Sequence, residues 1–141
     1  MKTVLISLAA LTALAAPPAM AADVTVTLTG VQARGGTVLA SLNTASTFLR
    51  GAGQYTARVA GDAAGSVTLV FHDVAPGEYA LMVLHDENDN HRMDFGAAGP
   101  SEGWAFSNSA RPMTGPPTFD DHKFAVGDQP VQLTETVRYG I

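Results

Sequence analysis

The segment Asp23-Val24-Thr25-Val26-Thr27-Leu28-Thr29 decides the fold class. Apolar Val24, Val26 and Leu28 alternate with Thr25, Thr27 and Thr29, a period of two that an extended strand sorts onto opposite faces. One apolar face and one hydroxyl-rich face suit a half-buried strand of an antiparallel sheet. The same period returns downstream. Gly35-Gly36 predicts a turn, and Thr37–Asn43 continues with Val38, Ala40 and Leu42 on one face. Thr44–Arg50 loses the alternation and reads as a helical turn or a crossing loop, closed by Gly51. Tyr55–Ala60 is a weaker strand, and Ser66–His72 alternates again through Val67, Leu69 and Phe71.

Val74-Ala75-Pro76-Gly77 carries Pro and Gly in the order of a type II turn. Beyond it, Glu78–His85 is apolar at almost every position, as a strand covered on both faces requires, so it is placed centrally in its sheet. Lys123–Val126 and Pro130–Tyr139 complete the set. In the last strand Glu135 falls in the same series as Val131, Leu133, Val137 and Tyr139. A β-bulge, or an edge position that lets the carboxylate reach water, would reconcile it. About seven short strands with frequent turns predict an all-β fold, a single antiparallel β-sandwich interrupted by one long loop.

Residues 1–21 have a different character. Lys2 is the only charge before Asp23, Val4–Ala16 is apolar, Pro17-Pro18 breaks a helix, and Ala19-Met20-Ala21 supplies a small-x-small cleavage pattern. An apolar run this short falls below the ~20 residues that span a bilayer. The chain is therefore expected to be exported, with a signal peptide at 1–21 and one domain at 22–141, in the periplasm or secreted, and not inserted in the membrane after cleavage. Losing Lys2 lowers the basic count from 8 to 7 against 13 acidic side chains, a net charge of −6. So acidic a chain, with no basic run, offers nucleic acid little to hold. With no cysteine there is no disulfide framework, thiol nucleophile or thiolate metal site.

The connection from Asp86 to His122 shows little periodicity, and a long structureless loop inside a compact domain is uncommon unless functional or pinned. It carries His85-Asp86-Glu87-Asn88-Asp89-Asn90, Met93-Asp94, Glu102-Gly103-Trp104-Ala105-Phe106-Ser107-Asn108, Gly115-Pro116-Pro117-Thr118-Phe119 and Asp120-Asp121-His122-Lys123-Phe124. On these residues the chain resembles the bacterial exported DUF2141 family, over essentially the whole span after the leader. The resemblance implies small exported proteins with a transthyretin-like or prealbumin-like sandwich, and no particular activity.

Asp86, Asn88, Asn90 and Asp94 follow the D-x-[DN]-x-[DN] spacing of a calcium loop, at loop positions 1, 3, 5 and 9, with the Arg92 carbonyl at 7. Ca²⁺ takes six to eight hard oxygens, and alternate residues of a curling loop point inward to supply them. Two departures weaken the pattern. His91 replaces the glycine of position 6, and Ala97 stands where a bidentate acid belongs; Glu102 could fold back to fill that gap, as could Asp89 or a backbone oxygen. The competing reading is a solvated acidic turn with Asx-type hydrogen bonds.

His72-Asp73 and His85-Asp86 invite a zinc or copper reading, but strand-end histidines more commonly bond a loop backbone. Phe95, Trp104, Phe106 and Phe119 read as a satellite core anchoring the long loop. Alternatively they line a ligand pocket, with Trp104, Phe106, Asn108 and Arg111 as the contacts. No nucleophile elbow, metalloprotease helix or phosphate-cradling loop is present, so catalysis finds little support. The expectation is a binding or structural module of the cell envelope, with Ca²⁺ as the only candidate cofactor and an envelope protein or small ligand as partner. The alternative is a periplasmic hydrolase or carbohydrate-active enzyme using the aromatic-lined loop.

Overall fold

The computed structural model describes residues 20–140 and Ala13. Nearly all of the expected leader lies outside the described residues. The first strand, β1 (Ala22–Val31), buries Ala22, Val24, Val26, Leu28 and Val31 and turns its threonines outward, as the alternation dictates. It lies at the centre of a three-stranded sheet, between β4 (Gly65–Val74) and β10 (Val131–Thr136).

The second sheet runs β3 (Tyr55–Ala60), β2 (Thr37–Asn43), β5 (Gly77–Asp86) and β8 (Gly103–Phe106), with β9 (Lys123–Val126) also paired to β5. A small hairpin joins β6 (Phe95–Gly96) to β7 (Gly99–Pro100), and one helical turn, α1 (Phe119–His122), precedes β9. The inward faces of the two main sheets make one core. Val24, Val26 and Leu28 meet Leu69 and Phe71 from the first sheet and Val38, Leu42, Leu81 and Val83 from the second. The fold is all-β and sandwich-like.

Several details depart from the sequence reading. The pairing of β1 with β10 is parallel, Val24 opposite Val131 and Leu28 opposite Glu135, whereas the reading expected antiparallel sheets throughout. A parallel pair needs a long crossover, and here everything between β1 and β10 supplies it. The segment 86–122 is not without regular structure, since β8 takes a place in the second sheet. Gly77 is not in the left-handed region that a type II turn requires; Asp73 is, with φ 54°. Glu135 resolves differently again: β10 is an edge strand, yet the side chain is buried.

The placement of β5 is as expected. Its apolar run is buried along nearly its whole length, with β2 on one side and β8 and β9 on the other. Its next-to-last residue, His85, is fully buried and locked from both ring nitrogens. Nε2 donates to the Gly35 carbonyl at 2.8 Å, so Nδ1 accepts from the Tyr139 hydroxyl at 2.6 Å. That oxygen in turn accepts from the Gln32 amide at 3.0 Å. Burial raises the Tyr139 phenol above its ordinary value of 10.0, so it keeps the proton this chain of bonds needs. Gly103 makes room for it, because a Cβ there would strike the Tyr139 ring.

Leu28, fully buried between the sheets, sets the scale of the core's contribution. Leu28→Ala is expected to cost about 2–5 kcal/mol in urea unfolding, through lost transfer energy and the cavity left behind. Thr134→Ala, on the exposed face of β10, should stay within about 0.5 kcal/mol.

Candidate functional site

The acidic loop springs directly from the last residue of β5. Asp86 is fully buried, and its two carboxylate oxygens accept the amides of Asn90 at 3.1 Å and His91 at 2.8 Å. Asn88 Oδ1 accepts the Asn90 amide at 3.1 Å, and Asn90 Oδ1 accepts that of Arg92 at 3.2 Å. Each step is an Asx-type closure in which a short side chain replaces the missing strand partner. At loop position 6, His91 adopts φ 61°, the left-handed turn for which a calcium loop uses glycine.

Asp94 closes the curl. Its Oδ2 accepts the side-chain amides of Asn88 and Asn90, both at 2.8 Å, and Arg92 approaches Oδ1 at 3.5 Å. These bonds, that from Asn88 foremost, hold its carboxyl below the ordinary value of 3.8. Glu102, in β7–β8, does fold back. It is buried, and its oxygens accept the Glu87 and Asp94 amides, each at 3.1 Å. The loop is fastened to the sandwich by Arg34–Glu87 at 2.9 Å and by Thr37 Oγ1 donating to Asp89 at 2.8 Å. Gly36 permits this approach: a Cβ there would collide with the Asp86 carbonyl and the Glu87 backbone.

The six metal candidates thus gather in one loop system, with Asp86, Asn88, Asn90, Asp94 and Glu102 all engaged in protein hydrogen bonds and the Arg92 guanidinium turned to Asp94. Among the described residues, no three histidine or carboxylate side chains converge closely enough to hold a metal ion. His72 and His85 do not meet. His72 pairs with Asp23 at the surface, while His85 is occupied as described above.

The four ligand candidates separate. Phe106 packs with Trp104 at 5.7 Å and with Phe48 at 5.8 Å, and Phe48 meets Phe119 edge-on at 6.1 Å, a satellite core beneath the long connection. Phe95, expected to join them, is exposed on its hairpin. Arg111 lines a surface cleft, and Asn108 serves structure: in a left-handed turn (φ 58°), its Nδ2 donates to the Lys123 carbonyl at 2.9 Å.

Three residues take structural roles that the sequence left open. Glu135 accepts the Asn108 amide at 2.7 Å, the Ser109 amide at 3.2 Å and the Ser109 hydroxyl, so it needs neither a bulge nor water. Ser107 is fully buried; its Oγ accepts from the Leu81 amide at 2.9 Å and donates to the His122 carbonyl. His122 stacks on Phe106 at 4.8 Å and bonds the Ser107 carbonyl at 2.7 Å, a loop-backbone role and not a metal-binding one. The usable signal lay in the hydroxyl-rich Ser107-Asn108-Ser109, whose turn chemistry calls for a buried acceptor.

With this geometry in place, the chain was compared with known proteins. The family model described as an uncharacterized protein conserved in bacteria, DUF2141, matches residues 26–134. The chain belongs to DUF2141. The match runs from within β1 to within β10, so the sandwich and the acidic loop are both inside the DUF2141 span. Neither curated proteins nor solved structures gave a match, and the sandwich carries no narrower, transthyretin-like assignment.

Asp94 gives the loop a defined acid response. Its folded pKa is depressed, so its contribution to stability is present above the ordinary aspartate range and is lost as pH falls through the folded value. Amide exchange at Asn88–Asp94 should accelerate as pH is lowered below 3.8, after correction for intrinsic rates. Asp94→Asn should show that loosened loop already at neutral pH. Separately, Glu135→Ala strips acceptors from two part-buried amides and should cost about 1–3 kcal/mol in urea unfolding.

Proposed function

We propose that this chain is an exported β-sandwich serving the bacterial cell envelope as a binding or structural module, with Asp86–Asp94 as its calcium-responsive clasp. The observation that carries the reading is the backbone of that loop. Asp86 gathers the fifth and sixth amides, Asn88 and Asn90 close successive turns, and His91 makes the left-handed step at position 6. That is the curl a D-x-N-x-N loop needs to wrap a hard cation.

In this reading Ca²⁺ draws on side-chain oxygens of Asp86, Asn88, Asn90 and Asp94 and on the Arg92 carbonyl, with Glu102 steadying the loop from behind. The Asn88 and Asn90 amides now donate to Asp94. Binding turns their oxygens inward, and the cation takes the place of those two N–H groups beside the Asp94 carboxylate. A loop whose twelfth-position acid is missing suits the weak sites of extracellular modules, about 10⁻⁴–10⁻³ M. Export supplies the compartment in which so weak a site would be filled. The leader's features support it, as does β1, which begins at Ala22 and keeps its full length after cleavage at Ala21.

Calorimetric titration and thermal unfolding of the purified protein, with Ca²⁺ and with chelator, test the clasp. Millimolar Ca²⁺ should bind and raise Tm, since only binding to the native state shifts unfolding. Asp94→Ala should abolish both effects, whereas His91→Gly should retain them. Absence of heat and of a Tm shift at millimolar Ca²⁺ would sink the clasp. Intact-mass measurement of envelope-extracted protein tests export independently, with a chain starting at Ala22 expected.

A further inference from the structure

Phe95 is 72% exposed, the most exposed large apolar side chain among the described residues. It opens the β6–β7 hairpin, Phe95-Gly96-Ala97-Ala98-Gly99-Pro100, a run without a charge or a polar side chain. From Phe95 through Ala98 every residue is exposed. The hairpin pairs only with itself and joins neither main sheet. Its base is fastened to the acidic loop: the Ser101 amide donates to the Asp94 carbonyl at 2.9 Å, and the Asp94 amide donates to Glu102 at 3.1 Å. A contiguous apolar tip held out to solvent on a structured base marks an interaction site.

The tip has acidic surroundings. Asp86, Glu87, Asp89, Asp94 and Glu102 stand in the loop behind it, and only Arg34 and Arg92 oppose them through ion pairs there. Ca²⁺ takes six to eight oxygens, and with one oxygen each, Asp86, Asn88, Asn90, Asp94 and the Arg92 carbonyl fall short of that number. Glu102 is committed to the Glu87 and Asp94 amides. The acid that would close the shell at loop position 12 is replaced by Ala97, and Ala97 lies in the turn of the apolar hairpin. A cation held by the loop therefore draws further oxygens from outside it, beside a tip that is itself apolar.

The size of the tip decides between partners. One aromatic ring and two alanines offer far less than the roughly 800 Å² that each side of a stable protein interface buries. A lipid surface makes no such demand, since it accepts an apolar tip at its headgroup boundary and presents phosphate oxygens, which are hard ligands. Stable attachment to a membrane takes two weak signals together. An aromatic anchor at the interface is one, and a divalent cation shared between loop carboxylates and lipid phosphates is the other.

We propose that the β6–β7 hairpin docks this protein on an anionic phospholipid surface, with Phe95 entering the headgroup boundary and Ca²⁺ in the Asp86–Asp94 loop taking phosphate oxygens of the lipid. The protein lies on the membrane and does not cross it. This rests on the calcium reading above and names the partner of that site. Without calcium, like charges keep the loop and the lipid apart.

Cosedimentation of the purified exported protein with vesicles tests the docking. Vesicles of phosphatidylcholine, with and without phosphatidylglycerol, are compared in millimolar Ca²⁺ and in chelator. Binding is expected only with phosphatidylglycerol and Ca²⁺ together. Phe95→Ser removes an exposed ring and leaves the core untouched, so it should keep the Ca²⁺-induced rise in Tm. Its vesicle affinity should fall at least about tenfold, the contribution of one buried aromatic side chain. Phe95→Trp should still bind, and its emission should shift to the blue on the vesicles. A Tm rise with Ca²⁺ but no vesicle binding overturns the docking and leaves the calcium reading standing, whereas no response to Ca²⁺ removes both. Equal binding to phosphatidylcholine alone, undiminished binding by Phe95→Ser, or unshifted emission from bound Phe95→Trp also overturns it. Calcium-dependent self-association that Phe95→Ser abolishes, without vesicle binding, overturns it in favour of a second copy of the chain.

Discussion

Along most of its length the backbone of β5 is paired on both edges: β2 pairs with it from Ala80 to Asp86, while β9 and β8 divide the other side. A strand satisfied on both edges and buried on both faces cannot slip without breaking two ladders and exposing its apolar run. That rigidity reaches outward from both ends. At the first, Tyr79 bonds the Ala75 carbonyl and packs on Tyr55. At the second, His85 and Asp86 emerge with their side chains already committed, one to the Tyr139 lock and the other to the acidic loop. Asp86, where the acidic loop begins, is therefore fixed both by the ladder of β5 with β2 and by its own side-chain bonds.

Three buried carboxylates then do for the irregular regions what ladders do for strands. Asp86, Glu102 and Glu135 each accept two backbone amides from segments that have no strand partner of their own. Backbone donors must be satisfied somewhere, and a carboxylate can take several at once. Bonds to charged groups are also stronger than neutral ones. A cysteine-free chain can thus pin a long connection without a cross-link.

Much of the sandwich was legible in the residues. Period-two alternation marked β1, β2 and β4, the continuous apolar run marked β5 as central, and Lys123–Val126 was placed to the residue. These signals are local, and burial acts on them locally. What escaped was decided by partners distant in sequence. The parallel direction of β10 leaves no trace in its alternation, because either direction buries the same face. Gly103–Phe106 is too short to show a period and becomes a strand only because β5 offers Met82–His85 as a template. Glu135 looked like a fault until the amides of Asn108 and Ser109 were seen above it. In the acidic loop, the ligand-type spacing was legible, but the direction of each amide was not. The stacking of His122 on Phe106 was not legible either, since the two residues are far apart in the chain.

The sequence by itself determined which faces would be buried, where the chain would turn, and that the longest stretch without periodicity would lie between Asp86 and His122. Alternation, turn residues and composition act over a few positions, so a local reading captures them. Only the tertiary structure decided which donors meet which acceptors. It set Asp94 against Asn88 and Asn90, Glu102 against Glu87, Glu135 against Asn108, and Phe106 against His122. A hydrogen bond depends on a few ångströms and an angle, and residues far apart in the chain acquire those only when the core has packed.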